Sequence, residues 1–102
     1  MNIPEIINEL NKKLKEKYVD FHGSYFYGSM ASKNHEENSD VDLVGIFDDV
    51  SREKRMEMWD IIGEFEYKYN IILDFHPMTE IELKRNRIYF NEVTQKGFFY
   101  GI

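Results

Sequence analysis

The sequence predicts a small α+β domain, a β-sheet flanked by helices. Segments with apolar residues at helical spacing alternate with short apolar, β-branched or aromatic runs of strand length. A chain of 102 residues can enclose one hydrophobic core and not two, so residues 1–102 are expected to form a single domain. An apolar content of 42%, with 16% aromatic, is that of a folded chain rather than a disordered one.

The first element is a helix from Pro4 to about Lys17. Proline suits a first helical turn, and Ile6, Ile7, Leu10 and Leu14 form an apolar stripe. The aromatic run Phe21-His22-Gly23-Ser24-Tyr25-Phe26-Tyr27 is a strand, and Gly28 follows it at a turn. Ser39 to Phe47 is the second strand, carried by Val41, Leu43, Val44, Ile46 and Phe47. A second helix starts within Asp48-Asp49-Val50-Ser51 and runs to about Tyr69. Met56, Trp59, Ile62, Phe65 and Tyr69 recur at steps of three and four, which marks them as its core-facing set. Ile71 to His76 is a third strand, containing Asp74. Thr79 and Glu82 are spaced as a capping box for a further helix. Gly97 stops the last helical stretch before Phe98-Phe99-Tyr100.

Chemistry concentrates between Gly28 and Leu43. Side chains alternate across a strand, so Asp40 and Asp42 share a face, with backbone positions about 6.6 Å apart. Two carboxylates at that spacing can converge on cations, and hard oxygen ligands select Mg²⁺ or Mn²⁺. A solvated strand end is the plainer reading of a lone Asp-x-Asp. Upstream, Gly28 lets the backbone approach a ligand closely, and Ser29 offers a hydroxyl and an N–H to a phosphate. Gly-Ser is by itself an ordinary turn. Followed by Ser39-Asp40-Val41-Asp42-Leu43 on a strand, it points to an enzyme that handles a nucleoside triphosphate.

Gly28-Ser29-Met30-Ala31 and Ser39-Asp40-Val41-Asp42-Leu43 resemble the Gly-Ser-x-Ala turn and Ser-Asp-x-Asp-Leu strand of the minimal nucleotidyltransferase (MNT) domains of the DNA polymerase β superfamily. The resemblance extends over nearly the whole chain, with an echo in Val93-Thr94-Gln95-Lys96-Gly97-Phe98-Phe99-Tyr100. It implies a polymerase β palm-like fold, a mixed sheet with helices packed mainly on one face and the acids on the open face. It also implies a third carboxylate, for which Asp74 is the candidate. Asp40, Asp42 and Asp74 would then be the catalytic and metal residues, with two Mg²⁺ ions (Mn²⁺ as substitute), and Asp74 would activate the acceptor hydroxyl. Gly28, Ser29, Lys33 and Ser39 would hold the nucleotide. His76, on the face of Asp74 by alternation, is expected to be a hydrogen-bonded structural histidine. Many relatives carry Arg at the positions of Met30 and Ser32, and Gly at that of Lys33. Lys33 could restore a positive charge, though without the bidentate fork of Arg.

Within the family, the implied reaction moves a nucleoside monophosphate, AMP from ATP foremost, to an acceptor hydroxyl. The leading acceptor is a tyrosine on a helical HEPN toxin, which would make the chain an AMPylating antitoxin. A homodimer is the other expected assembly. One alternative is a nucleotide-binding module that neutralises its partner by occlusion. Another is transfer to a small molecule. A net charge of −6, with 13 Lys and Arg against 19 Asp and Glu, argues against a long nucleic-acid groove. The absence of cysteine is compatible with a reducing compartment, and no apolar run is long enough to cross a membrane, so a cytoplasmic enzyme is expected.

Overall fold

The computed structural model describes residues 2–28 and 40–102. Helix α1 spans Ile3–Lys17, strand β1 Phe21–Tyr27, β2 Val41–Phe47, helix α2 Arg52–Tyr69, β3 Leu73–Thr79, the short helices α3 Glu80–Arg85 and α4 Arg87–Gln95, and β4 Phe98–Gly101. The sheet order is β3-β2-β1-β4. Strand β1 is antiparallel to β2 and β4, whereas β2 and β3 are parallel, so the sheet is mixed. Parallel strands cannot be joined by a tight turn, and α2 is the required crossover.

The expected stripe of α1 is buried as predicted, with Ile7, Leu10 and Leu14 at 0% exposure, each such burial stabilising by about 2 kcal/mol. Asn2 caps the helix by accepting from the Glu5 N–H at 2.9 Å. Against α1 and α2 lie Phe21, Phe26, Val41, Leu43, Phe47, Leu73 and Phe75. Phe21 and Phe26 reach that one face because the register slips between Phe21 and Gly23, where Gly23 takes φ +136°. The two long helices thus share a single face. The short pair α3–α4 lies on the other, packing Leu83 and Val93 against Val44 and Ile46.

Two polar links hold the layers together. Asn11, buried in α1, accepts from Ser24 Oγ at 2.7 Å and donates Nδ2 to the Tyr100 carbonyl at 2.8 Å, tying α1 to β1 and β4. Lys54 Nζ lies 2.7 and 2.6 Å from the two Asp20 carboxylate oxygens and 2.7 Å from the Asp49 carbonyl, above the Phe47 ring. Burial alone would raise the Asp20 carboxyl, but the Lys54 and Asp49 N–H hydrogen bonds outweigh it and hold the group below its ordinary value.

Helix α2 corrects one expectation. Its buried residues are Met58, Ile61, Ile62 and Phe65, while Met56 and Trp59 are 60% and 62% exposed. Repeated steps of three drift round a helix: at about 100° per residue, Trp59 lies about 120° from Phe65 and Met56 about 180° from it. The 3.6 period selects Met58 and Ile61 instead, and leaves Trp59 on the flank beside Ile62.

The outer edge of β3 offers few free donors for strand pairing. The Ile72 carbonyl accepts from the Val41 N–H at 2.8 Å, so by alternation Leu73, Phe75, Pro77 and Thr79 turn their backbone groups outward. The Leu73 N–H is taken by Glu66 Oε2 at 2.9 Å and the Thr79 N–H by Glu82 Oε1 at 3.2 Å, in the predicted capping box. Pro77 has no N–H.

Replacing Lys54 by Met should keep the packing over Phe47 and lower stability by about 2 kcal/mol at neutral pH in urea unfolding. Because the folded Asp20 carboxyl is held down, its contribution is present above the unfolded value of 3.8 and is lost as pH falls through the lower folded value. The deficit of Lys54→Met should therefore shrink in strong acid.

Candidate active site

Three strands deliver their functional residues to one row. In register, Tyr27 of β1 lies opposite Asp42 of β2, and Asp42 lies opposite Asp74 of β3. Alternation puts Asp42 on the face of Val44 and Ile46, and Asp74 on that of His76 and Met78. The face is the one that α4 partly covers, and Asp40, exposed just before β2, adjoins it.

Gly28 follows Tyr27 at φ +84°. A Cβ built there would collide with the Asp42 carboxylate. Only glycine meets both demands, the left-handed backbone and the close approach. The expected phosphate turn therefore begins against the first carboxylate of the row. Ser29, Lys33 and Ser39, together with Met30, Ala31 and Ser32, lie outside the described residues.

The Asp42 carboxyl is pushed up to about 6, first by burial, then by its hydrogen bond with Asp74 and the negative charges of Asp74 and Asp40; His76 opposes this. Asp74 is 48% exposed at the sheet edge, so water alone can carry its charge. His76 Nε2 sits 3.1 Å from Asp74 Oδ1, within ion-pair distance.

Two tyrosines complete the site. The Tyr27 and Tyr89 hydroxyls are 2.8 Å apart, with the rings edge to face at 5.8 Å. Burial, their mutual hydrogen bond and the nearby carboxylates raise Tyr27; burial and the same acids raise Tyr89. Both remain protonated donors at neutral pH. Sequence reasoning named neither. Tyr27 directly precedes Gly28, and that adjacency was its only available signal.

Among the described residues, no three His, Asp or Glu side chains are gathered to enclose a metal ion. The donor set nevertheless suits one kind of cation. Mg²⁺ commonly uses one or two carboxylates and completes its shell on substrate phosphates. Asp42 and Asp74 sit close enough to share a hydrogen bond and to repel when both ionise.

Beyond Asp74, a cavity of about 410 Å³ opens at the β3 edge between α2, α3 and α4. Asp74, His76 and Tyr89 line it on one side, Met58, Trp59 and Ile62 on the other.

The pattern of the nucleotidyltransferase domain family matches residues 6–96. The chain belongs to this family. No curated protein matches it in sequence. Among solved structures, the nucleotidyltransferase chain resembles a toxin–antitoxin bound to AMP-PNP, with a TM-score of 0.71 and 17% identity over 99% of this chain and 75% of that one. A toxin–antitoxin MntA–HepT gives a TM-score of 0.63 and 16% identity over 96% and 72%. A tri-AMPylated HEPN toxin in complex with an MNT antitoxin from Shewanella oneidensis gives 0.61 and 14% over 98% and 74%. At such identities these likenesses establish the fold, which is the α+β nucleotidyltransferase fold with its small mixed sheet. Among the described residues, no helix is long and apolar enough to cross a membrane.

Removing the charge of Asp42 should stabilise the metal-free nucleotidyltransferase domain. Below pH 3.8 the carboxyl is protonated folded or unfolded; between 3.8 and about 6 the unfolded chain ionises first, and above 6 the folded state carries the full penalty. In EDTA, Asp42→Asn should gain about 1 kcal/mol at pH 8 after allowance for solvent screening, and nothing near pH 3.5, in thermal unfolding.

Proposed function

We propose that this nucleotidyltransferase moves AMP from ATP to a tyrosine hydroxyl of a HEPN-type partner protein, acting as an enzymatic antitoxin in the cytoplasm. The observation that carries the reading is the row Tyr27–Asp42–Asp74, with Gly28 seated against Asp42 on the fold of the family. The toxin–antitoxin structures that share the fold, one with AMP-PNP and one with an AMPylated toxin, support the choice of nucleotide and acceptor.

In this mechanism Gly28, with Ser29, Lys33 and Ser39, receives the β- and γ-phosphates. Asp40, Asp42 and Asp74 are the residues that would hold divalent cations, two Mg²⁺ in the family's manner. When bound, these supply positive charge to the triphosphate and to the departing pyrophosphate. The acceptor oxygen forms a bond to the α-phosphorus as the bond to the bridging oxygen of pyrophosphate breaks. Its proton passes to the Asp74 carboxylate and on to water. The Tyr27 and Tyr89 hydroxyls, hydrogen-bonded to each other, stand near the carboxylates. Catalysis is then positioning and electrostatics.

A second reading has one observation in its favour. Met30 and Ser32 stand where many relatives carry Arg, so the triphosphate would be held less firmly. The chain would then bind nucleotide and neutralise its partner by occlusion.

Purified protein with Mg²⁺ and α-labelled ATP in lysate of its own host should label one protein band on tyrosine. Asp42→Asn should reduce that label by roughly 100-fold or more while the complex with the partner stays intact. Label that ignores Asp42, or a variant that still neutralises its partner without labelling, would sink the catalytic reading.

A further inference from the structure

The cavity at the β3 edge has no part in the reaction as described so far, and its position relative to the carboxylate row gives it one. The row has two ends. At the β1 end, Gly28 lies against Asp42. At the β3 end, Asp74 forms part of the cavity wall. If phosphates occupy the Gly28 end, an in-line displacement sets the attacking oxygen on the opposite side of the α-phosphorus from the leaving pyrophosphate. The opposite side is the Asp74 end.

The wall has a definite chemistry. Asp74 and His76 offer polar atoms near the row. Deeper, Met58 and Ile62, each 2% exposed, form an apolar floor, and Trp59 stands at the mouth with 62% of its surface open. The indole is open to a ligand on the side that faces the cavity. Arg55 and Glu82, paired at 3.7 Å, also line the cavity. Polar groups at the reacting end, an apolar floor and an aromatic mouth suit a planar ring that carries a hydroxyl. The β3 edge further restricts the occupant. With the Leu73 and Thr79 N–H groups engaged and Pro77 lacking one, the edge disfavours an added strand and favours an inserted side chain.

We propose that this cavity is the acceptor subsite, in which Trp59, Met58 and Ile62 hold the ring of a tyrosine from a partner polypeptide with its hydroxyl directed at Asp74. The assignment rests on the nucleotidyl-transfer reading. It makes Trp59 the residue that selects a phenolic acceptor over a serine or a sugar hydroxyl.

The chain contains a single tryptophan, so one indole N–H resonance reports on the cavity without any catalysis. N-acetyl-tyrosinamide should shift that resonance, whereas N-acetyl-serinamide and Mg²⁺·AMP-PNP should leave it in place. A shift with AMP-PNP means that the nucleotide fills the cavity and overturns the proposal, as does the lack of any shift with the tyrosine derivative. In the labelling assay, Trp59→Ala should lower labelling at limiting partner by about tenfold, recover at high partner concentration and retain wild-type affinity for AMP-PNP; Trp59→Phe should restore most of the loss. An unchanged partner dependence in Trp59→Ala also overturns it. Failure of the transfer reading would appear separately, as wild-type protein that labels nothing.

Discussion

The parallel pairing of β2 with β3 is the constraint from which the rest follows. It places Asp42 opposite Asp74 in register, and no local feature of either strand could do so. It requires a long crossover, which α2 supplies. It leaves β3 at the sheet edge, so Asp74 is half in water and a cavity forms where α2 and α3 flank that edge. Antiparallel β1 then brings Gly28 back to the same end of the sheet, against the Asp42 carboxylate.

This arrangement opposes stability and favours function in the same residues. An Asp42 carboxyl raised to about 6 records the free energy of burying it, and then of holding it beside other acids, before any cation or substrate arrives. The fold offsets it elsewhere, with the α1 and α2 core, the Asn11–Ser24 link and the Lys54–Asp20 pair. A site of this kind resists substitution for reasons of chemistry, while a neutral residue there would make a sturdier protein.

What depended on local patterning was legible in the sequence. The stripe of α1, the Thr79–Glu82 capping box, the strand bearing Asp42, and the helix–glycine–aromatic strand at Gly97 all follow from spacings of two, three or four residues. The α2 face was misjudged because two stripes share Ile62 and Phe65, and only the longer period separates Met58 from Trp59. The Tyr27–Tyr89 contact joins residues 62 apart, and the row of Tyr27, Asp42 and Asp74 is set by strand register. Neither leaves a trace in any one segment. The same holds for the edge position of Asp74, which changes its charge from a buried burden to a half-solvated one.

The Asn11 side chain has a bearing on how the protein is made. It joins Ser24 to the carbonyl of Tyr100, a residue 89 positions further along the chain. A growing chain that has α1, β1 and β2 in place still holds an unmet amide on α1 and an unpaired margin on β1. Both are satisfied only when residues 98–101 leave the ribosome. Until then the nascent chain presents an adhesive border, and β4 is the element that quenches it.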